Sequence, residues 1–538
     1  MTETATAVID PIEREIFTYT VESIVEEIDI NITRTAHSPL VYEYKDYCAG
    51  LLTKDFALLG QSQSNLPIFL ADLGDPVSDV IDIIGDESLR PGDVVLTNYG
   101  EVSGQHLNHV VAFTPLYSRE ADIQGYLAIR THWADVGGLA PGSLSWEGTD
   151  LRQEGFQVRG LRVMREGTVV PEVVETIRAN CYMQAEVVGD LMAQAGACLV
   201  AAERWRERVA ARWTGEQVAQ LVAAQLETSR ELAARAVAEL PDGVYEASCM
   251  TDDGGAAGTE PLRLSVKLIV EGDRMIADLS DLPPQVTTPI NAGRNGGAMS
   301  AMRVAFKSLL VPNRQADQGL FEPLTIVLPT GTLLSATDGA PMAHWNTTIP
   351  TMIDLFLRAI GNRLPERVPA GHHGSMATLM LTGRRSDGSW VQYVETGNGG
   401  HGAHSEGSGF GPLKTLMHGD NRAIPIELVE GSAPVRFRSY KLLRDAGGDG
   451  LYRGGPGIER IIELLEPLAL SAGIDRTVDP PWGMNGGGPA QPGGIAILYP
   501  GSETWQIVSK ADLELPAGAL IRQRTAGGGG WGSPPERN

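Results

Sequence analysis

One stretch limits what this chain can fold into more than any other. It runs from Asp93 to Asp135 as GDVVLTNYGEVSGQHLNHVVAFTPLY, a short acidic connector, and GYLAIRTHWADVGG. The apolar runs Val94-Val95-Leu96, Val110-Val111-Ala112-Phe113 and Tyr126-Leu127-Ala128-Ile129 have the length and composition of strands, and polar, glycine-containing loops separate them. His106 and His109 form an H-x-x-H just before the second run, and His132 and Asp135 form an H-x-x-D just after the third. Two strand ends then bring the histidine pairs together. Imidazole and carboxylate suit zinc, manganese or iron, and three or four protein ligands with an open position is what a catalytic metal needs. H-x-x-H alone, with no zinc-protease glutamate between its histidines, reads equally well as polar loop. The H-x-x-D at a second strand end tips the reading to metal, and the lack of a cysteine-rich pattern makes the site catalytic.

At 538 residues the chain has room for two to four domains. Asp10-Pro11-Ile12-Glu13 reads as a helix start with a capping box, and apolar residues at helical spacing from Ile16 to Ile32 carry a helix to about Ala36. HSPLVYEYKDYCAGLLTKDFALLGQ then alternates like a hairpin and places Asp46 ahead of Cys48-Ala49-Gly50. Val169 to about Leu240 reads as helical, broken at Trp213-Thr214-Gly215, where Thr214 and Gln217 suit a capping box. From Val244 the pattern turns to β, with helices expected at Gly297–Leu310 and Ile349–Ile360. The last hundred residues read as short strands with Gly/Pro turns, and the closing AGGGGWG as either a frayed tail or an extended arm. The expected fold is α+β and multi-layered, a β-rich body with a long helical hairpin insertion and a small C-terminal β domain. Its divisions are an α/β metal-site region (1–168), the hairpin (169–240), a glycine-dense β region (241–430) and the C-terminal domain (431–538).

Composition excludes several function classes. Forty-three basic against 67 acidic residues leave a formal charge of −24, which repels nucleic acid and anionic membranes. MTETATAVIDPIER lacks the basic and apolar segments of a signal peptide, and no run of about 18 apolar residues suggests a membrane span, so a cytoplasmic location is expected. Four widely spaced cysteines suit reduced, buried thiols. Gly397 to Gly402 matches G-x-G-x-x-G but leads into more glycine and serine instead of a helix, so it is no dinucleotide site, and there is no P-loop. His401 and His404 in that segment are candidate substrate-binding residues through close backbone approach; a tight turn that merely needs glycine is the alternative.

Many stretches together resemble the hydantoinase B/5-oxoprolinase family. They include DPIEREIF, RTAHSP, YKDYCAGLL, LRPGDVVLTNYGEVSGQHL, HWADVGG, PQVTTPINAG, RDAGGDGLYRGGPGIER, PPWGMNGG and AGGGGWG, in family order over nearly the whole chain. The resemblance implies a metal site of His106, His132 and Asp135 with Asp46 as an upstream carboxylate. Asp135 and His109 take catalytic roles in this reading. His109 stands where the family usually carries Asp, and Asn98-Tyr99-Gly100-Glu101 where it usually reads N-D-P-Y. The family further implies a hydantoinase A-like, kinase-fold partner that binds ATP in a hetero-oligomer, consistent with the missing P-loop. The implied activity is ATP-dependent hydrolysis of a cyclic amide (hydantoinase, oxoprolinase or lactamase type) phosphorylated by that partner. The alternatives are the equivalent subunit of an acetone- or acetophenone-type carboxylase and a non-catalytic scaffold.

Overall fold

The computed structural model describes residues 10–63, 66–70, 72–419 and 421–535. Residues 1–9, on which the reading of the N-terminus as free of a targeting segment rests, lie outside them.

Helix α1 (Pro11–Thr35) starts as its sequence dictates, with the Asp10 carboxylate accepting from Ile12 N and proline in the first turn. The expected capping box does not close, because the Glu13 carboxylate accepts from Arg212 and the Trp213 indole N–H instead. One face of α1, from Phe17 through Val21, Ile24 and Ile28 to Ile32, is buried. A short helix α2 (Pro39–Tyr42) follows.

The strands β1 (Tyr47–Thr53), β2 (Leu58–Gln61), β3 (Val94–Thr97), β4 (His109–Tyr117), β5 (Ile123–His132), β6 (Arg159–Arg165) and β7 (Thr168–Val169) form an antiparallel sheet in the order β2-β1-β5-β4-β3-β6-β7. The central strands are apolar on both faces because both are covered. The Ala-rich helix Gln184–Trp205 packs on β4, β5 and α1. Gln194, fully buried on it, donates to the carbonyls of Val110 and Ile129 and accepts from the Trp133 indole, which fixes the helix on the sheet. Each large apolar side chain buried here, Phe113 or Ile129 for example, contributes about 1.5–3 kcal/mol. Gln184–Ala210 is the one helical stretch among the described residues long and apolar enough to cross a membrane, and half of that stretch is buried within the protein. The next helix, Gly215–Ala238, closes the Thr214/Gln217 capping box.

Three further sheets complete a mixed helix-and-sheet fold. Strands β8 (Gly243–Met250), β9 (Arg263–Glu271), β10 (Arg274–Asp278) and β11 (Leu324–Val327) form one, parallel only between β10 and β11. The later strands are β12 (Thr378–Arg384), β13 (Trp390–Glu395), β14 (Val435–Leu443), β15 (Gly457–Leu464), β16 (Leu468–Gly473), β17 (Gly494–Leu498), β18 (Gln506–Val508), β19 (Lys510–Leu515) and β20 (Leu520–Arg524). They assemble as β13-β12-β16-β19 and β14-β15-β20-β17-β18, so the four-stranded sheet draws on both sides of residue 430. The glycine-rich end is an extended, buried arm. A Cβ on Gly528 would sit 1.9 Å from the His401 carbonyl oxygen, so backbone lies directly on backbone there.

Candidate metal centre

The sheet register builds the site. His109 and His132 are directly opposite in the antiparallel β4–β5 pair, so their side chains share a face. On the other side of β5, the His132 amide donates to the Asp46 carbonyl at 2.9 Å, which sets Asp46 beside His132 at the mouth of β1. His106 lies in the turn entering β4, whose closure is the His109 N–H to His106 carbonyl bond. That turn begins at Gly104, with φ of 67°, where a Cβ would be 2.8 Å from the backbone of Gly293. No larger residue fits there without moving the turn.

The three imidazoles each offer a nitrogen, all within 4.8 Å of one another, and no other group of three or more His, Cys, Asp or Glu residues does so among the described residues. Ring centroids are 4.2 Å apart for His106–His109, 4.9 Å for His106–His132 and 5.0 Å for His109–His132. Asp46 Oδ1 is 3.7 Å from His109 Nε2 and has no hydrogen-bond partner among the described residues.

The surroundings fix the tautomers. His106 Nδ1 lies 3.1 Å from the Ala343 carbonyl, which only accepts, so Nδ1 carries the proton and Nε2 a lone pair. Gln105 Nε2 donates to Asp72, itself paired with buried Arg130, and this turns Gln105 Oε1 towards His109 Nδ1 at 2.8 Å. His109 therefore also has its proton on Nδ1. The two Nε2 atoms face each other at 3.2 Å. With a lone pair on each and no proton between them, the contact is repulsive until a cation fills it. His132 Nδ1 is likewise buried and unpartnered among the described residues. Burial pushes all three pKa values down, and mutual repulsion adds to this for His106 and His109. For His132 the Asp46 carboxylate opposes it. Neutral imidazoles with the outer nitrogen held by an acceptor are what a metal ligand requires, so the residues fit a divalent transition metal.

The site opens into a cavity of about 50 Å³ lined by Phe69, Leu144, Trp345 and Met417 and, on its polar side, by Tyr44, Glu395, Thr396 and His418. The Phe69 ring stands edge-on to His109 at 4.9 Å, and Trp345 stands edge-on to both His106 and His109. Burial works against the ionised form of Glu395, but Lys414 and Arg460 overcome it and hold its pKa below the ordinary value.

Asp135 is not brought into this group. Its Oδ1 accepts from Gly137 N and the Ser143 hydroxyl, and its Oδ2 from the amides of Tyr182 and Met183. All its acceptor capacity ties the 133–143 loop to the start of the Gln184–Trp205 helix. Past the end of β5 the chain turns, so three residues after His132 the side chain no longer faces the cavity. His401 and His404 also lie away from it: a ring nitrogen of His401 contacts the Lys414 carbonyl at 2.7 Å, and His404 sits in a tight turn where its Nδ1 accepts from Glu406 N. Cys48 and the other three cysteines are buried free thiols, and burial raises each pKa. The sequence reading missed Gln105, Asp72, Ala343 and Trp345. Gln105 alone had a local signal, its place beside His106 in a loop otherwise built for ligands.

The sequence model of the hydantoinase B/oxoprolinase family matches residues 10–534. A putative D-/L-hydantoinase component from Pseudomonas sp. (strain NS671) is 27% identical, over 98% of this chain and 91% of its own. The crystal structure of the ATP-dependent caprolactamase from Pseudomonas jessenii superposes with a TM-score of 0.88 at 23% identity, covering 99% of this chain and 92% of that one. A nucleotide-free acetone carboxylase gives 0.87 at 17% identity, covering 98% and 76%. The two solved structures share the fold, and the family match spans the sheet, the histidine site and the glycine-rich arm alike: the chain belongs to the hydantoinase B/oxoprolinase family.

Proposed function

We propose that this chain is the metal-dependent component of an ATP-dependent cyclic-amide hydrolase, acting with a hydantoinase A-like, kinase-fold partner that binds the ATP. The observation that carries the reading is the pair of Nε2 atoms, both unprotonated, facing each other at 3.2 Å beside Asp46. His106, His109, His132 and Asp46 would hold one divalent transition metal, zinc, manganese or iron. Bound there, such an ion lowers the pKa of a water or polarises an amide carbonyl.

The chain's own contributions follow from its geometry. Gln105 and the Ala343 carbonyl hold the protons of His109 and His106 on Nδ1, so no tautomer change is needed when the site fills. Three neutral nitrogens and one carboxylate leave a dication with a net charge of about +1, more electrophilic than a set in which an acid replaces His109. Asp46 Oδ1, buried and without a hydrogen-bond partner among the described residues, would supply the one anionic oxygen of this chain's set. Phe69 and Trp345 keep bulk water from the imidazoles. Asp135 serves as a positioning residue for the loop that follows β5.

Reconstitution with a kinase-fold partner tests the reading. Lactam opening coupled to ATP hydrolysis, lost on chelation and restored by metal, is the expected result. Turnover confined to ketones with bicarbonate would instead make it part of a carboxylase, and ATP hydrolysis by the isolated chain would contradict the division of labour.

A further inference from the structure

The cavity at the histidines holds only a few water-sized groups, at about 10–15 Å³ each. A lactam ring does not fit in it, so most of any substrate must lie elsewhere. Beside it is a second, larger cavity of about 430 Å³, within the range of about 300–1,000 Å³ usual for small-molecule sites. The two share the side chains of Leu40 on α2 and Val394 on β13, which line both. The larger cleft is otherwise bounded by β13 and by the helix Ile426–Ser432, with apolar walls that include Trp390, Ile424 and Leu428.

We infer that this cleft is the substrate port of the histidine site, and that it takes small cyclic amides bearing no carboxylate, with Leu40 and Val394 forming the partition across which the amide group reaches the metal cavity. The inference rests on the proposed function for its chemistry. The cleft has the volume, the apolar lining and the shared wall that the small cavity lacks. Its charge sets the class. Glu186 and Glu427 line the cleft, whereas the one lysine or arginine among the described residues of its lining is Arg385, whose guanidinium donates to the Ser432 carbonyl. A ring carrying its own carboxylate meets two carboxylates against that single guanidinium in a mostly apolar cleft. An uncharged ring meets no such penalty.

Gly431 provides a clean test. It lines the cleft, its φ is unstrained, and a Cβ built on it meets nothing within 4 Å, so Gly431→Leu places bulk in the port without a clash at the backbone. Binding is followed on the full-length chain, without partner or ATP, by quenching of tryptophan fluorescence with 2-piperidone, ε-caprolactam, 2-pyrrolidone and 2-pyrrolidone-5-carboxylate. The expected result is saturable quenching by the uncharged lactams that disappears in Trp390→Phe. Affinity should fall at least tenfold in Gly431→Leu, whose melting temperature and metal uptake match wild type. The carboxylated ring should bind at least tenfold more weakly than 2-pyrrolidone. Lactam affinity within twofold of wild type in Gly431→Leu, equal binding of the carboxylated ring, or no saturable lactam binding would each overturn the inference. Because the assay needs no metal, failure of the metal reading would appear separately, as absent metal uptake in wild type.

Discussion

The chain gathers two groups of histidines, and what separates them is whether their free nitrogens converge. His106, His109 and His132 have their outer nitrogens held by acceptors or left bare, and their lone pairs converge beside a carboxylate. His372, His373 and His418 are just as dry and His401 is half-buried, and three of the four have an individual partner: His372 Nδ1 lies 2.5 Å from Asp354, a ring nitrogen of His401 contacts the Lys414 carbonyl, and His418 Nδ1 pairs with the Thr415 hydroxyl. His373 has no hydrogen-bond partner among the described residues, and its pKa is pushed down by burial and then by its basic neighbours His372, His401, Lys414 and His418. Among the described residues their ring nitrogens do not converge as those of the first three do, and the Lys414 ammonium acts on His373 and His418. Histidine density in sequence therefore says little about a metal; the direction of the lone pairs, set by the residues behind the rings, decides it.

The largest expected difference separates one ligand from one bystander. His132→Ala should lose stoichiometric metal and with it turnover, whereas His373→Ala should keep full metal, as read by elemental analysis of both proteins after dialysis. Core burial over several layers leaves both folded, unlike a small zinc domain. Full occupancy in His132→Ala would dissolve the distinction between the clusters.

The next effect probes the group behind the ring. Gln105→Leu removes the acceptor that keeps the His109 proton on Nδ1, should cost the metal-free protein about 1–3 kcal/mol for the buried polar groups left unpaired, and should weaken metal affinity by about 10–100-fold. A competition titration with a chelating dye measures it, and unchanged affinity would mean that the tautomer is set by something else. His109→Asp should act more gently, shifting preference towards harder ions such as manganese, because an anionic oxygen replaces a neutral nitrogen. Identical metal content and rate would show His109 to be incidental.

The smallest effect lies in stability against pH. Burial, reinforced by Lys414, pushes His418 down to about 3, and burial with a contribution from Lys510 pushes His344 to about 3. Their folded pKa values lie below the unfolded value of about 6.5, so their contribution is fully present above pH 6.5 and drains away as pH falls from 6.5 towards 3. The limiting slope is about 1.4 kcal/mol per pH unit for each histidine. Urea midpoints of the metal-free protein between pH 7.5 and 5 should fall accordingly. His344→Phe, which preserves the stack on Trp146, should remove its own share of the slope and leave that of the other buried histidines. A slope unchanged in that variant would show that His344 contributes nothing to the acid sensitivity.

Strand and helix periodicity makes much of this fold legible in the chain. β3, β4 and β5 fall on the three apolar runs of the central stretch, and the Thr214/Gln217 capping box closes as its spacing requires. That His106 and His109 meet His132 at strand ends is also readable. Which partner each strand takes is not, and that choice decides the site: only the β1-β5-β4 order puts Asp46, His132 and His109 side by side. The H-x-x-D spacing misleads at Asp135 because its ligand logic assumes that the local backbone continues, whereas the chain turns into a loop that consumes both carboxylate oxygens. Glu13 has the spacing of a local cap but reaches Arg212 and Trp213, in a turn between two helices far along the sequence, a long-range contact that no window can reveal. The Ala343 carbonyl has no side-chain signature at all.

The central claim, one metal held where the lone pairs converge, is tested most directly by anomalous diffraction from crystals of the full chain grown with its metal, recorded on both sides of that metal's absorption edge. The account predicts one strong peak per chain between His106, His109 and His132 and within reach of Asp46, with Asp135 still bound to the amides of Gly137 and Met183. A peak at His372 and His373 or beside Asp135, or none near the three imidazoles, would contradict it.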